Sequence, residues 1–318
     1  MSISLSSKIH VLGSLFWIAA GYASAQDFPA RPLTVTLPNA SGIVDAHMLE
    51  FARIAAKYLG QTINVRRHPG HNQLGLGDYL LAARPDGYSL YLLTIAAYRT
   101  PHLARVPWHP VNDFTYIIGL AGYTYGVVVK SDSPFRTLRD LIKFAKSNPG
   151  QLRFAAYPHT GTAHLAMIEL GFKADARLLH VPGTIPDSMK ALAEGRISAI
   201  ASSTVWAPQV ESGALRLIAT FGEQRSRWKV PTAREQGFDI ISYSPFGIAA
   251  PKGLDPKVAK RLHDVFKQAV DDPEHKGLLE NLGLVYWYKS GDDYADWAVD
   301  QLEFQRRLIA HTTGVGTN

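Results

Sequence analysis

Apolar and polar positions follow two periods along this chain, and the switch between them repeatedly falls on small polar residues. From Gln151 onward, Leu152, Phe154 and Ala156 alternate as in a strand, whereas Leu165, Ile168 and Phe172 recur at helical spacing. Between them lie Tyr157-Pro158-His159-Thr160-Gly161-Thr162. This pattern predicts a strand feeding a helix through a loop, with the first helical N–H groups unpaired at the positive end of the macrodipole. Such a start can seat an anion. The plainer alternative is that Thr160 or Thr162 caps the helix and His164 packs beside it. The local pattern leaves both open.

The same succession occurs earlier. Residues 33–37 read as a strand, 38–42 as a loop, and Met48, Phe51, Ile54, Ala55 and Tyr58 share one helix face. Gly60 stops that helix and a strand resumes at 63–65, giving a βαβ unit and a parallel sheet. A short helix is expected over 80–83 and a strand over 88–94. Residues 116–130 read as two strands joined near Gly119 and Gly122, the second being a domain crossing. Thr137 is expected to cap a helix over 138–147. Beyond the opening stretch follow a strand at 178–181, a helix at 186–194 and a strand at 197–201 that ends on Ser202-Ser203-Thr204. Then come strands at 215–220 and 246–250 (the second crossing), a helix at 256–270, a strand at 284–287 and a helix at 292–310. Alternation of this kind predicts an α/β fold.

Composition adds mainly exclusions. At 318 residues, 46% hydrophobic and 19% charged, the chain suits two globular domains. Lys8, the apolar run 11–20 and Ala23-Ser24-Ala25 read as a signal peptide over residues 1–25, cleaved after Ala25. No later segment approaches the ~20 apolar residues of a membrane helix, so an exported, soluble protein without a lipid anchor is expected. The absence of cysteine excludes disulfides, thiolate nucleophiles and cysteine-ligated zinc. Lys8 is the one charged residue in the leader, so the formal charge falls from +6 to +5 on cleavage. That excess is not gathered into the basic blocks nucleic-acid binding requires.

Taken together, several short motifs resemble the Bug family, the periplasmic TctC-like solute-binding proteins of tripartite tricarboxylate transporters. They are Phe28-Pro29-Ala30-Arg31-Pro32, Pro69-Gly70, Pro85-Asp86-Gly87-Tyr88 and Trp108-His109-Pro110-Val111-Asn112-Asp113-Phe114. Gly161-Thr162-Ala163-His164-Leu165, Val230-Pro231-Thr232 with Glu235 and Gly237, and Ala249-Ala250-Pro251-Lys252-Gly253 follow in the family's order. The resemblance implies two Rossmann-like domains joined by crossing strands, a type II periplasmic flytrap, with residues 26–123 and 249–318 in the first domain and 124–248 in the second. It implies a small carboxylate as ligand, permease subunits as partners, a monomer, no cofactor and no catalysis. The chain departs from the family where Asn39-Ala40-Ser41-Gly42 replaces a Pro-Pro-Gly-Gly type loop, where Thr94-Ile95-Ala96-Ala97 replaces a Gly-Ser loop, and where Ser202-Ser203 replaces Asp-Asn. The ligand therefore does not carry over with the family.

The candidate ligand-binding residues are Asn39, Ala40, Ser41 and Gly42, then Thr94 and Ala96. From the later loops come Tyr157, His159, Thr160, Gly161 and Thr162, with Ser202, Ser203 and Tyr243. Asp45 and His164 are expected to support the loops. None of the three strand-end loops 39–42, 94–97 and 157–162 contains Lys or Arg, so neutral donors at helix starts are expected to hold the carboxylate. Tyr98, Tyr123, Tyr125, Tyr157, Trp206 and Tyr243 either line the cleft, which would suit an aromatic or extended acid, or pack at the domain interface. There is no HExxH, GxSxG or P-loop, and His159 and His164, five apart, would fall on different faces of one helix, so no metal site is expected. The alternatives to transport are a carboxylate sensor that signals to a partner and an exported enzyme acting on a small acid.

Overall fold

The computed structural model describes residues 28–38, 42–67, 82–157 and 159–314. The expected leader lies outside them, as do Asn39, Ala40, Ser41 and most of the expected helix at 80–83.

Two sheets organise the chain. The first is built from β1 (Leu33–Leu37), β2 (Ile63–Arg67), β3 (Ser89–Thr94), β4 (Phe114–Thr124), β10 (Tyr243–Pro251) and β11 (Leu284–Lys289), in the order β11-β4-β10-β3-β1-β2. The second contains β5 (Gly126–Lys130), β6 (Arg153–Ala156), β7 (Leu179–His180), β8 (Ala199–Ser202) and β9 (Leu215–Thr220), in the order β7-β6-β8-β5-β9. β1 runs parallel to β2 and β3, and β6 parallel to β7 and β8, as the βαβ reading predicts. β10 runs antiparallel to β3 and β4, and β5 antiparallel to β8 and β9.

Helices cover both faces of each sheet, so the strands are apolar on both sides. α1 (Ile43–Leu59) turns Met48, Phe51, Ile54 and Ala55 into the core of the first sheet, together with α7 (Pro256–Asp271) and α8 (Pro273–Leu282). On the opposite face lie α2 (Ile95–Arg99) and the closing helix α9 (Gly291–Gly314). The second sheet is covered by α3 (Leu138–Ser147) and α4 (Thr162–Lys173) on one face. On its other face lie α5 (Ile185–Ala193) and α6 (Ala207–Glu211).

The first crossing differs from the expected pair of strands. β4 runs unbroken through Gly119 and Gly122, because both glycines lie flat against neighbours: a Cβ on Gly119 would meet the Trp287 ring at 2.6 Å. The change of sheet occurs at Tyr125, between β4 and β5. The return lies between β9 and β10, and the two passages are tied together: Phe221 N–H donates to Tyr125 O at 2.9 Å and Ser242 N–H to Phe221 O at 2.8 Å. β10 pairs throughout within the first sheet, so the expected boundary between residues 248 and 249 falls inside a strand. No helix among the described residues is long and apolar enough to cross a membrane.

Candidate functional site

Seven of the helix starts among the described residues fall into two groups. α3 and α5 open with complete capping boxes, Thr137 with Asp140 and Thr184 with Asp187, and α7 and α8 are capped by the carboxylates of Asp255 and Asp272. α1, α2 and α4 each follow the carboxyl end of a strand, and their N-cap residues, Gly42, Thr94 and Gly161, make no side-chain cap bond. Thr162 is the first residue of α4 rather than its cap, and the Thr160 hydroxyl donates to His159 O at 2.6 Å. The threonine-cap alternative thus fails at this helix. At α1 the Val44 N–H lies beside the Tyr123 phenol and favours its ionised form, against the burial that pushes its pKa up.

Between the sheets the starts of α2 and α4 meet a cation that pattern reading missed. A pocket of about 110 Å³ is walled by Ile95 and Arg99 of α2, Thr162 and Glu169 of α4, Tyr243 of β10 and Gln305 of α9. Arg99 is only 7% exposed. Its Nε donates to Gln305 Oε1 at 2.8 Å and its Nη2 to Thr162 Oγ1 at 3.3 Å. A guanidinium carries five N–H donors. Among the described residues it has no carboxylate partner, and three of the five donors find no acceptor. Burial pulls its pKa down to about 10, which leaves it charged at neutral pH. Glu169 also lines the pocket, but its carboxylate is engaged by Lys173 at 2.9 Å. The Tyr125 phenol is buried against the hydroxyls of Thr162 and Ser244. Burial pushes its pKa up, while those hydroxyls and Arg99 favour its ionised form.

Thr162 and Tyr243 line this pocket, and Gly161 precedes Thr162 as the N-cap of α4. Thr94 ends β3 and Ala96 lies one turn before Arg99, on the same short helix. Gly42 opens α1 at φ 77°, a conformation that favours glycine, with open space beyond its Cα. Tyr157 is 51% exposed and stands off the pocket. Ser202 is buried and donates to Ser203 O at 3.1 Å, and neither serine lines the pocket. Asp45 holds Arg67 of β2 through two bonds, tying the first turn of α1 to its neighbouring strand. His164 accepts from Thr160 N–H at 3.3 Å and so braces the loop. Of the aromatics, Tyr98 and Trp206 are fully buried in the cores of their units, whereas Tyr243 faces the pocket.

One further cluster is unanticipated. His159 precedes α4 instead of lying on it, so the helix-face argument does not apply, and its ring folds back to 4.6 Å from that of His164 and 5.5 Å from that of His180. These three can hold a metal ion.

Arg99 leaves a faint sequence signal: it is the lone charge in the run Ile95-Ala96-Ala97-Tyr98-Arg99-Thr100, placed one helical turn past a strand end. Gln305 leaves none, since it reaches the pocket from 206 positions away.

Comparison with known proteins agrees with this architecture. The profile described as the tripartite tricarboxylate transporter family receptor matches residues 49–313. The "UPF0065 protein in gbd 5'region" of Cupriavidus necator is 38% identical over 292 residues, which is 90% of this chain and 89% of that protein. A TctC solute-binding protein from Polaromonas has the same fold, with a TM-score of 0.76 at 27% identity over 89% of this chain and 99% of that one. MatC of Rhodopseudomonas palustris, with bound malate, shares the fold at a TM-score of 0.72 and 21% identity, over 89% of this chain and 100% of that one. The matching family is one of receptors, not of enzymes. The chain belongs to the tripartite tricarboxylate transporter receptor family, the periplasmic solute-binding proteins of the TctC and Bug type.

Proposed function

We propose that this protein captures a small carboxylate at the seam between its two sheets and delivers it, as a monomer exported by its leader, to the permease of a tripartite transporter. Arg99 carries the reading. A buried guanidinium without a counter-charge is costly, and an anion that takes its spare donors recovers part of that cost. The uncapped start of α4 adds N–H donors and the positive end of a helix dipole beside the same pocket. A carboxylate here would meet Arg99 and Thr162, with Tyr243 and Trp297 as apolar walls. The malate seen in a structural neighbour suggests a dicarboxylate as the first class to try.

Closure is the means of capture. The residues around Tyr125 and Ser242 join the two units, and a ligand that touches both shifts the population toward the closed form by its differential affinity. The matching family is one of receptors, which favours binding without turnover.

The test is a thermal-shift and calorimetric screen of residues 26–318 against mono-, di- and tricarboxylates and aromatic acids, each beside its amide. A ligand at a hundred times its dissociation constant stabilises by about 2.7 kcal/mol. Stabilisation by one acid class and not by its amide is the expected result; stabilisation by amides alone would sink the reading.

A further inference from the structure

We infer that His159, His164 and His180 form a binding site for one divalent transition-metal ion of the zinc class. The inference stands apart from the carboxylate reading, since none of the three histidines lines the pocket beside Arg99.

Three separate elements supply the rings: the loop before α4, the first turn of α4, and β7. The parallel pairing of β6 with β7 brings the last of these alongside. Ring centroids lie 4.6 Å apart for His159 and His164, 4.3 Å for His164 and His180, and 5.5 Å for His159 and His180. One nitrogen from each ring falls within 4.8 Å of the others. With metal–nitrogen bonds of about 2.0–2.1 Å, tetrahedral ligands stand about 3.3 Å apart, so the nitrogens must close by up to roughly 1.5 Å. His159 is exposed and free to make that movement.

The surroundings favour the ion. His180 Nε2 lies 3.1 Å from Ala156 O, where only an N–H is favourable, so its Nδ1 keeps a lone pair. A backbone carbonyl holding the far nitrogen of a ligating imidazole is the usual outer support of a metal site. The Thr160 N–H contact to His164 Nδ1 is long, at 3.3 Å, and is the one bond a metal at that nitrogen would replace. Thr160 sits at φ 60°, an uncommon conformation for a β-branched residue, so this loop already stores strain that a rearrangement would release. Phe154 packs against His164 and His180 as an apolar floor.

Three imidazoles without thiolate or carboxylate select Zn²⁺, Ni²⁺ or Cu²⁺ over Mg²⁺ or Ca²⁺, and leave a coordination position for water or an added carboxylate.

The experiment uses untagged protein, residues 26–318, stripped with chelator and titrated calorimetrically with Zn²⁺, Ni²⁺ and Mg²⁺. One equivalent of Zn²⁺ or Ni²⁺ and no Mg²⁺ is expected. His159→Ala and His180→Ala should each weaken Zn²⁺ binding by at least about tenfold, since even outer-shell losses cost that much. His159 is exposed, so its variant will fold even where a His164 variant does not. X-ray absorption should show nitrogen neighbours at about 2.0–2.1 Å. Absence of saturable one-to-one binding, or affinity unchanged in His159→Ala, overturns the inference.

Discussion

Arg99 and Thr162 are bonded across the two units: the last residue of α2 donates through Nη2 to the hydroxyl of the first residue of α4, at 3.3 Å. The contact links a buried charge on one sheet to an open helix start on the other. An anion entering there would bind both sides at once, which is what a closing receptor requires.

Arg99→Met should separate binding from stability. It removes a buried cation that lacks a counter-charge, a gain, and orphans Gln305 Oε1, a loss of about 1–3 kcal/mol. The two effects oppose, so the midpoint of urea unfolding should move little, and Arg99→Met combined with Gln305→Leu should recover any deficit. Carboxylate affinity should fall by about 2–5 kcal/mol, as when one partner of a buried charge pair is truncated.

The two groups of helix starts make a paired prediction. Thr137→Ala removes a complete capping box and should cost about 1 kcal/mol in unfolding free energy with no change in ligand affinity. Thr162→Val removes no cap but deletes the hydroxyl shared with Arg99 and Tyr125. It should weaken carboxylate binding by about 1 kcal/mol while leaving the unfolding midpoint nearly in place. Calorimetric titration and urea melts of the two variants check this crossed pattern.

Acid should destabilise the first unit through His47 and His275. Both are fully buried, with Nε2 atoms 2.9 Å apart. His275 Nδ1–H donates to Val270 O at 3.0 Å, so its Nε2 accepts from His47 Nε2–H, and His47 Nδ1 has no partner among the described residues. Burial lowers both below the ordinary value of 6.5. The unfolded chain therefore binds more protons than the folded one below pH 6.5. Stability is fully present above that value and drains as the pH falls, by up to about 1.4 kcal/mol per pH unit for each group that must charge. His47→Gln keeps a donor near the same place without titrating, and the dependence of its unfolding free energy between pH 7 and pH 5 should be shallower than in the wild type.

Strand β10 tolerates no bulk at Gly247. A Cβ there would lie 2.4 Å from both Ile118 O and Tyr294 Cε1 and 2.9 Å from Gly119 Cα. Two of those neighbours are backbone and cannot swing away, so Gly247→Ala should cost at least about 2 kcal/mol. Denaturant melts measure it directly. A loss under half that size would mean that β10 shifts more easily than its central position in the sheet implies.

Much of the fold was legible because apolar period and punctuation agree. The strand at 215–220, the helix at 138–147 with its Thr137 cap and the stop at Gly60 stand as the pattern predicts. Gly119 and Gly122 misled because glycine marks a close approach as readily as a turn, and here it admits Trp287 and Pro245. α8 was invisible because one of its core anchors is His275, which counts as polar. Of the site, the open start of α4 could be read from Thr-Gly-Thr after a strand. Arg99 could not be placed, because burying a charge opposes the rule that makes patterns readable, and Gln305 joins it only through the tertiary fold. The His180 partner of His159 and His164 depends likewise on strand pairing.

The most direct measurement is a parallel calorimetric titration of wild-type protein and Arg99→Met with the carboxylate that stabilises the wild type most, beginning with malate. Saturable one-to-one binding by the wild type and a loss of at least thirtyfold in the variant, about 2 kcal/mol, is the result this account predicts. Equal affinity in the two proteins would contradict it and move the ligand away from the Arg99 seam.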